Sequence, residues 1–135
     1  MKKEVSCGAV TFDEDGKVLI IKHLKGHIDI PKGHIEGNET KEETAIREVK
    51  EETNIDIEID NSIKPTMITY SPKDGVIKDV YFFVAKALTH DTKPQEEEVS
   101  HAYFVDPKEA LNLLTFDNAK DVLKYALNEK CISIN

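Results

Sequence analysis

Positive charge is scarce in this sequence: 18 lysines and arginines stand against 26 aspartates and glutamates, a net charge of -8 over 135 residues. That balance argues against a general affinity for duplex nucleic acid, because binding a phosphate backbone needs clustered Lys and Arg that displace counterions. Long hydrophobic runs are missing as well. No apolar stretch approaches the roughly 20 residues that span a bilayer, and the opening MKKEVSCGAV lacks the apolar segment of a secretory signal. No membrane partner is expected, and the expected compartment is the cytoplasm. Cysteine is limited to Cys7 and Cys131, which form no CxxC and have no histidine at zinc-finger spacing. Both are expected to be reduced, buried thiols, and a zinc-finger site is excluded. Internal repeats, linkers and low-complexity segments are absent too, so residues 1–135 are expected to form one domain.

What is present is a regular alternation of strand and helix signals. VSCGAVTF and KVLIIK are apolar, β-branched runs separated by DEDG, and they predict a hairpin with Gly16 in the turn. Residues 23–38 carry Gly26, Pro31, Gly33 and Gly37 and predict a long loop able to approach a ligand closely. Thr40 and Glu43 fit a capping box that opens a helix over 41–53, with Ala45, Ile46 and Val49 as its apolar face and Asn54 as its left-handed terminus. Strands are predicted at IDIEI, 65–70, 80–88 and 101–105. Asp106 and Pro107 predict the start of another helix, and a last helix is predicted over 118–128. The order is that of an α/β domain packed in layers.

The helix over 41–53 raises a chemical question. Glu48 and Glu52 are i,i+4 neighbours and Glu48 and Glu51 are i,i+3, so like charges share one face. Lys41, Arg47 and Lys50 cannot all serve that face, and unneutralised carboxylates raise one another's pKa. A divalent cation resolves the conflict, since clustered carboxylates are hard oxygen ligands and Mg²⁺ takes one or two of them together with waters and substrate phosphates.

Gly33, Glu39, Arg47, Glu48, Val49, Glu51, Glu52 and Ile55 stand at the spacings of the Nudix box: G, five residues, E, seven residues, then R-E-U-x-E-E-x-G-U, with U a bulky aliphatic. The chain resembles the Nudix hydrolases, with Asn54 replacing the last glycine. The resemblance implies a mixed β-sheet sandwiched between helices, an α/β/α sandwich. It also implies hydrolysis of a nucleoside diphosphate linked to another group, by water attack on phosphorus with Mg²⁺ (or Mn²⁺). Within it, Glu48 and Glu52 look like metal ligands, Glu51 like a ligand or the residue that poises the water, and the Gly33 carbonyl like a further ligand. Arg47 resembles the arginine that orients the glutamates, and Glu39 the residue that fastens the loop to the helix. Which carboxylate takes the proton stays open.

Outside the box, PKGH, KDVYFFVAKAL and EEEVSHAYFVDPKEALNLLTF are similar to the asymmetrical diadenosine tetraphosphate hydrolases, which yield ATP and AMP. That likeness implies a phosphate-contacting Lys78, polyphosphate contacts from Lys32 and His34, and a metal-site or base role for Glu98, with Glu96 and Glu97 as alternatives in the same run. Base stacking needs an aromatic clamp. Tyr70, Tyr81, Phe82 and Phe116 are candidates, with Tyr70 and Phe116 preferred. Ile28 stands where that subfamily carries tryptophan, and the chain has no tryptophan at all. The expected partner is a small nucleotide and the expected assembly a monomer or homodimer. Competing readings are a modified-nucleotide triphosphatase, an RNA 5′ pyrophosphohydrolase and, as a non-enzyme, a nucleotide sensor.

Overall fold

Two long strands, β1 (Lys2–Phe12) and β7 (Val76–Ala87), run side by side and parallel, in register from Lys2 opposite Val76 to Phe12 opposite Lys86. Their near-continuous apolar runs suit strands covered on both faces. The computed structural model describes residues 2–132. Around this central pair β5 (Ile57–Ile59) and β6 (Thr66–Tyr70) add antiparallel to β7, while β2 (Val18–His23) and β4 (Lys32–His34) meet β1 on its other edge. Beyond β2 lie β3 (Ile28–Asp29) and β8 (Val99–Val105).

Side-chain alternation divides the core between two layers. Val10, Phe12, Val80, Phe82 and Val84 pack with Ala119, Val122, Leu123 and Ala126 on one face, beneath α2 (Pro107–Leu113) and α3 (Asp117–Glu129). Cys7, Ala9, Phe83 and Ala85 pack with Ala45 and Val49 on the other, beneath α1 (Lys41–Thr53). The expected mixed sheet between helices is therefore present. Among the described residues, no helix is long and apolar enough to cross a membrane.

The helix predicted over 41–53 has those bounds. Thr40 Oγ1 accepts the Glu43 N–H at 3.1 Å while Glu43 Oε1 accepts the Thr40 N–H at 2.8 Å, and Asn54 ends the helix at φ 69°. Three expectations need correction. The predicted hairpin has its turn, with Gly16 at φ 79°, but β1 and β2 share only the pair Phe12 and Val18. The reason is that β4 takes that edge of β1 at Ser6 to Gly8, and β2 pairs with β8 instead. The stretch over 23–38, expected as one long loop, carries the two short strands β3 and β4, while Asp106 takes the expected N-cap place before Pro107 without a side-chain capping bond. Finally, Cys7 is buried, with its thiol pushed up to about 11 mainly by desolvation, whereas Cys131 is exposed in the turn after α3.

Candidate active site

The loop of residues 34–39 is fastened to α1 by one arginine. Arg47 Nε donates to Glu39 Oε2 at 2.6 Å and Nη2 to Glu39 Oε1 at 3.0 Å, while Nη2 also reaches the His34 carbonyl at 2.9 Å. Its Nη1 donates to Glu48 Oε1 at 2.8 Å and to Glu51 Oε2 at 3.1 Å. Glu39 further accepts from the Glu36 N–H and the Thr44 hydroxyl, at 3.0 and 2.9 Å. These bonds, the Arg47 guanidinium foremost, hold the Glu39 carboxyl down at about 2. A planar five-donor fork is what this many-sided contact requires.

On the inner side of the helix the balance reverses. Glu52 is 6% exposed, and its hydrogen-bond partner among the described residues is the Lys32 N–H, which donates to Oε1 at 2.9 Å. Burial, and then the charge of Glu48, push its carboxyl up to about 8. Burial also raises Glu48, against the pull of Arg47. A Cβ added at Gly33 would overlap the Glu48 carboxylate, so the absence of a side chain at Gly33 is what lets this backbone approach the acidic row. Among the described residues no three metal-ligating side chains already converge, and Arg47 bonds both Glu48 and Glu51. The chemistry of the donor set nevertheless fits a hard divalent cation: carboxylates on one wall, two of them raised by burial and by like charge.

Two adjoining cavities gather the residues singled out in the sequence. One, of about 540 Å³, is lined by Lys32, Gly33, His34, Glu48, Glu51, Glu52, Lys78 and Glu98. Glu98 arrives from the segment before β8, where its carbonyl accepts the Leu24 N–H at 2.9 Å. Glu96 and Glu97 do not line this cavity. The other, of about 290 Å³, is lined by Tyr70, Phe82, Phe116 and also Lys32. Phe116 precedes α3 and is exposed. Tyr81 lies on the opposite face of β7, with Lys41 Nζ 4.7 Å from its ring. Glu39 stays behind the wall as part of the Arg47 clamp.

Several residues at these cavities had no distinct sequence signal. His23 and His27 stack with ring centroids 4.0 Å apart, and His27 contacts Phe116 at 5.7 Å. Asp29, buried in β3, pairs with Lys32 at 2.8 Å. Asn118 lines the aromatic cavity from α3. The Ile28 N–H donates to Thr115 Oγ1 at 2.8 Å and the Thr115 N–H to the Ile28 carbonyl at 3.1 Å, tying β3 to the connector that carries Phe116. The one available signal was Asp29 itself, a lone acid among the isoleucines of IDIP.

A mixed sheet between helices, with an arginine clamp presenting a carboxylate row beside lysines, defines a Nudix-type α/β/α domain. A family model for the NUDIX domain matches residues 2–126, and the chain belongs to that family. It is 31% identical over 123 residues to an ADP-ribose pyrophosphatase of Methanocaldococcus jannaschii, a match covering 84% of this chain and 68% of that protein. An Ap4A hydrolase of C. elegans, solved as a binary complex, superposes with a TM-score of 0.83 at 22% identity, covering 95% of this chain and 98% of that one. A NUDIX hydrolase from Nitrosomonas europaea gives 0.76 at 28% identity, covering 97% of this chain and 73% of that one.

Proposed function

We propose that this chain is a divalent-metal-dependent hydrolase of nucleoside polyphosphates whose main substrate is diadenosine tetraphosphate, cut to ATP and AMP by water attack on phosphorus. The observation that carries this reading is the pair of cavities that share Lys32, one acidic and basic, the other walled by aromatic rings. A base stacks between Tyr70 and Phe116, and its polyphosphate extends past Lys32 toward Lys78 and His34. The likeness in fold to an Ap4A hydrolase supports the dinucleotide as first choice. The likeness to an ADP-ribose pyrophosphatase makes ADP-ribose the first competitor.

Glu48, Glu51, Glu52, Glu98 and the Gly33 carbonyl are the groups that would hold Mg²⁺ or Mn²⁺. Such an ion supplies charge neutralisation for the pyrophosphate and lowers the pKa of water. The chain's own groups do the rest. Arg47 fixes where Glu48 and Glu51 stand, since it touches both and is itself locked by Glu39. Glu51 on the helix rim and Glu98 from the segment before β8 are both exposed, and one of the two takes the proton of the attacking water. Lys32 and Lys78 balance the negative charge of the phosphate chain.

The test is product chromatography after incubation with Mg²⁺ and, separately, diadenosine tetraphosphate, nucleoside triphosphates, ADP-ribose and a 5′-triphosphate RNA. Equal ATP and AMP from the dinucleotide, faster than any product from the panel, is the expected result. Faster cleavage of ADP-ribose would move the assignment to that substrate, and tight nucleotide binding with no cleavage would make the chain a sensor.

A further inference from the structure

Lys32 lines both cavities, and a buried carboxylate holds it there. Asp29 Oδ2 and Lys32 Nζ stand 2.8 Å apart, with side chains 8% and 18% exposed. The other oxygen, Asp29 Oδ1, accepts the Ile30 N–H at 2.8 Å, so the carboxylate is fixed at both ends. The Lys32 backbone is fixed too, by its N–H bond to Glu52. A lysine is ordinarily a mobile point charge on a four-carbon stem. Here both its main chain and its ammonium are anchored.

Stability does not account for this pair. Taking two charges out of water costs more than an apolar pair of similar size, and Ile68 and Phe82 in the same cavity wall show that apolar side chains fit there. A bare carboxylate in a cavity that receives polyphosphate would repel its ligand. Glu52 is the other buried carboxylate beside this lysine, its Oε1 accepting the Lys32 N–H at 2.9 Å. Without Asp29 the Lys32 ammonium would lose its one side-chain partner among the described residues, with the acidic row as the nearest source of negative charge in the cavity. Lys78, the other lysine of the acidic cavity, has no carboxylate bonded to it among the described residues.

We infer that Asp29 is a positioning residue that pins the Lys32 ammonium at the passage between the two cavities, where it meets the phosphate group attached directly to the nucleoside. This rests on the reading that the aromatic cavity takes the nucleoside. An ammonium carries three donors and Asp29 engages one of them, so the same lysine can serve carboxylate and phosphate together.

The test compares adenosine with AMP, which differ by that one phosphate, in NMR titrations of the full chain with chelator present. In wild type AMP should bind more tightly than adenosine. Asp29→Asn keeps the size and removes the charge of the anchor; it should weaken AMP about tenfold and change adenosine less than twofold. The double variant Asp29→Asn, Lys32→Met leaves no unpaired buried charge. Its AMP affinity should be no lower than that of Lys32→Met alone, which leaves Asp29 bare and repelling, because Asp29 aids AMP only through Lys32. Equal weakening of adenosine and AMP by Asp29→Asn, or a further loss of AMP affinity in the double variant, would overturn the inference. Should adenosine and AMP shift resonances away from Tyr70 and Phe116 in the wild type, the nucleoside reading itself falls and the inference with it.

Discussion

Gly33 and Glu48 share one space: the backbone of β4 passes so close to the Glu48 carboxylate that a methyl group at residue 33 would overlap it. The atoms in the way are the far end of a flexible side chain, so Gly33→Ala should displace Glu48 and leave the fold standing. Turnover should fall at least tenfold while the melting temperature moves by a few degrees at most. Gly8 is the contrast, since a Cβ there meets the Pro31 carbonyl and the Lys32 backbone. Gly8→Ala should cost stability first, visible as a lower denaturant midpoint.

Glu52→Gln removes a carboxyl whose ionisation the metal-free fold resists through burial and the neighbouring Glu48. Metal-dependent turnover should be lost by a hundredfold or more, with the circular dichroism spectrum unchanged. In chelator the variant should melt higher than the wild type, and a lower melt there would contradict the account of the acidic row.

The metal-free protein should lose stability as pH rises. Burial and Glu48 hold the Glu52 carboxyl at about 8 in the fold, above its value of 4.5 elsewhere. A group raised on folding contributes fully below its unfolded pKa, and the contribution is lost as pH climbs through the folded one, here between about 4.5 and 8. The loss is on the order of a few kcal/mol. Denaturant titrations in chelator at pH 5 and pH 8 measure it, and the difference should shrink in Glu52→Gln.

Glu39 works in the opposite direction. Its carboxyl lies near 2 in the fold, chiefly through Arg47, so its contribution is present above the ordinary value of 4.5 and disappears as pH falls toward 2. Glu39→Gln should therefore bring the wild type and variant acid melts closer together below pH 3. Arg47→Lys keeps a charge but not the fork, and its turnover should drop at least tenfold.

Tyr70→Ala and Phe116→Ala each remove one side of the proposed clamp. Stacking on a base is worth about 1–3 kcal/mol, so KM for a nucleotide substrate should rise roughly fivefold to a hundredfold while kcat changes little. Tyr81→Ala, on the opposite face, should leave KM unaltered.

The helix of the box was legible because its signals are local: Thr40 and Glu43 bond each other across three residues, and Asn54 adopts its own left-handed turn. The parallel pairing of β1 with β7 was not, because alternation tells which face a residue takes but not which strand lies beside it. Asp29 stood out as a lone acid, but its role was not legible. A single acid in an apolar run reads as loop until the chain folds Lys32 back onto it. Tyr70 and Phe116 could be singled out as aromatics, but what places them at one cavity is long-range, including the bonds between Ile28 and Thr115.

Asn54 has a consequence for anyone wishing to engineer this domain. Its Nδ2 donates to the Asp91 carbonyl at 2.9 Å, and beside it the Lys93 and Gln95 N–H groups donate to the Thr53 and Glu52 carbonyls at 2.9 and 3.2 Å. The side chain that stands in for glycine thus stitches the end of the helix to the segment leading to Glu98. Restoring glycine would relax one backbone torsion and cut that stitch, so the box of this chain is not an interchangeable cassette: residue 54 and the segment over 89–98 must be transplanted together.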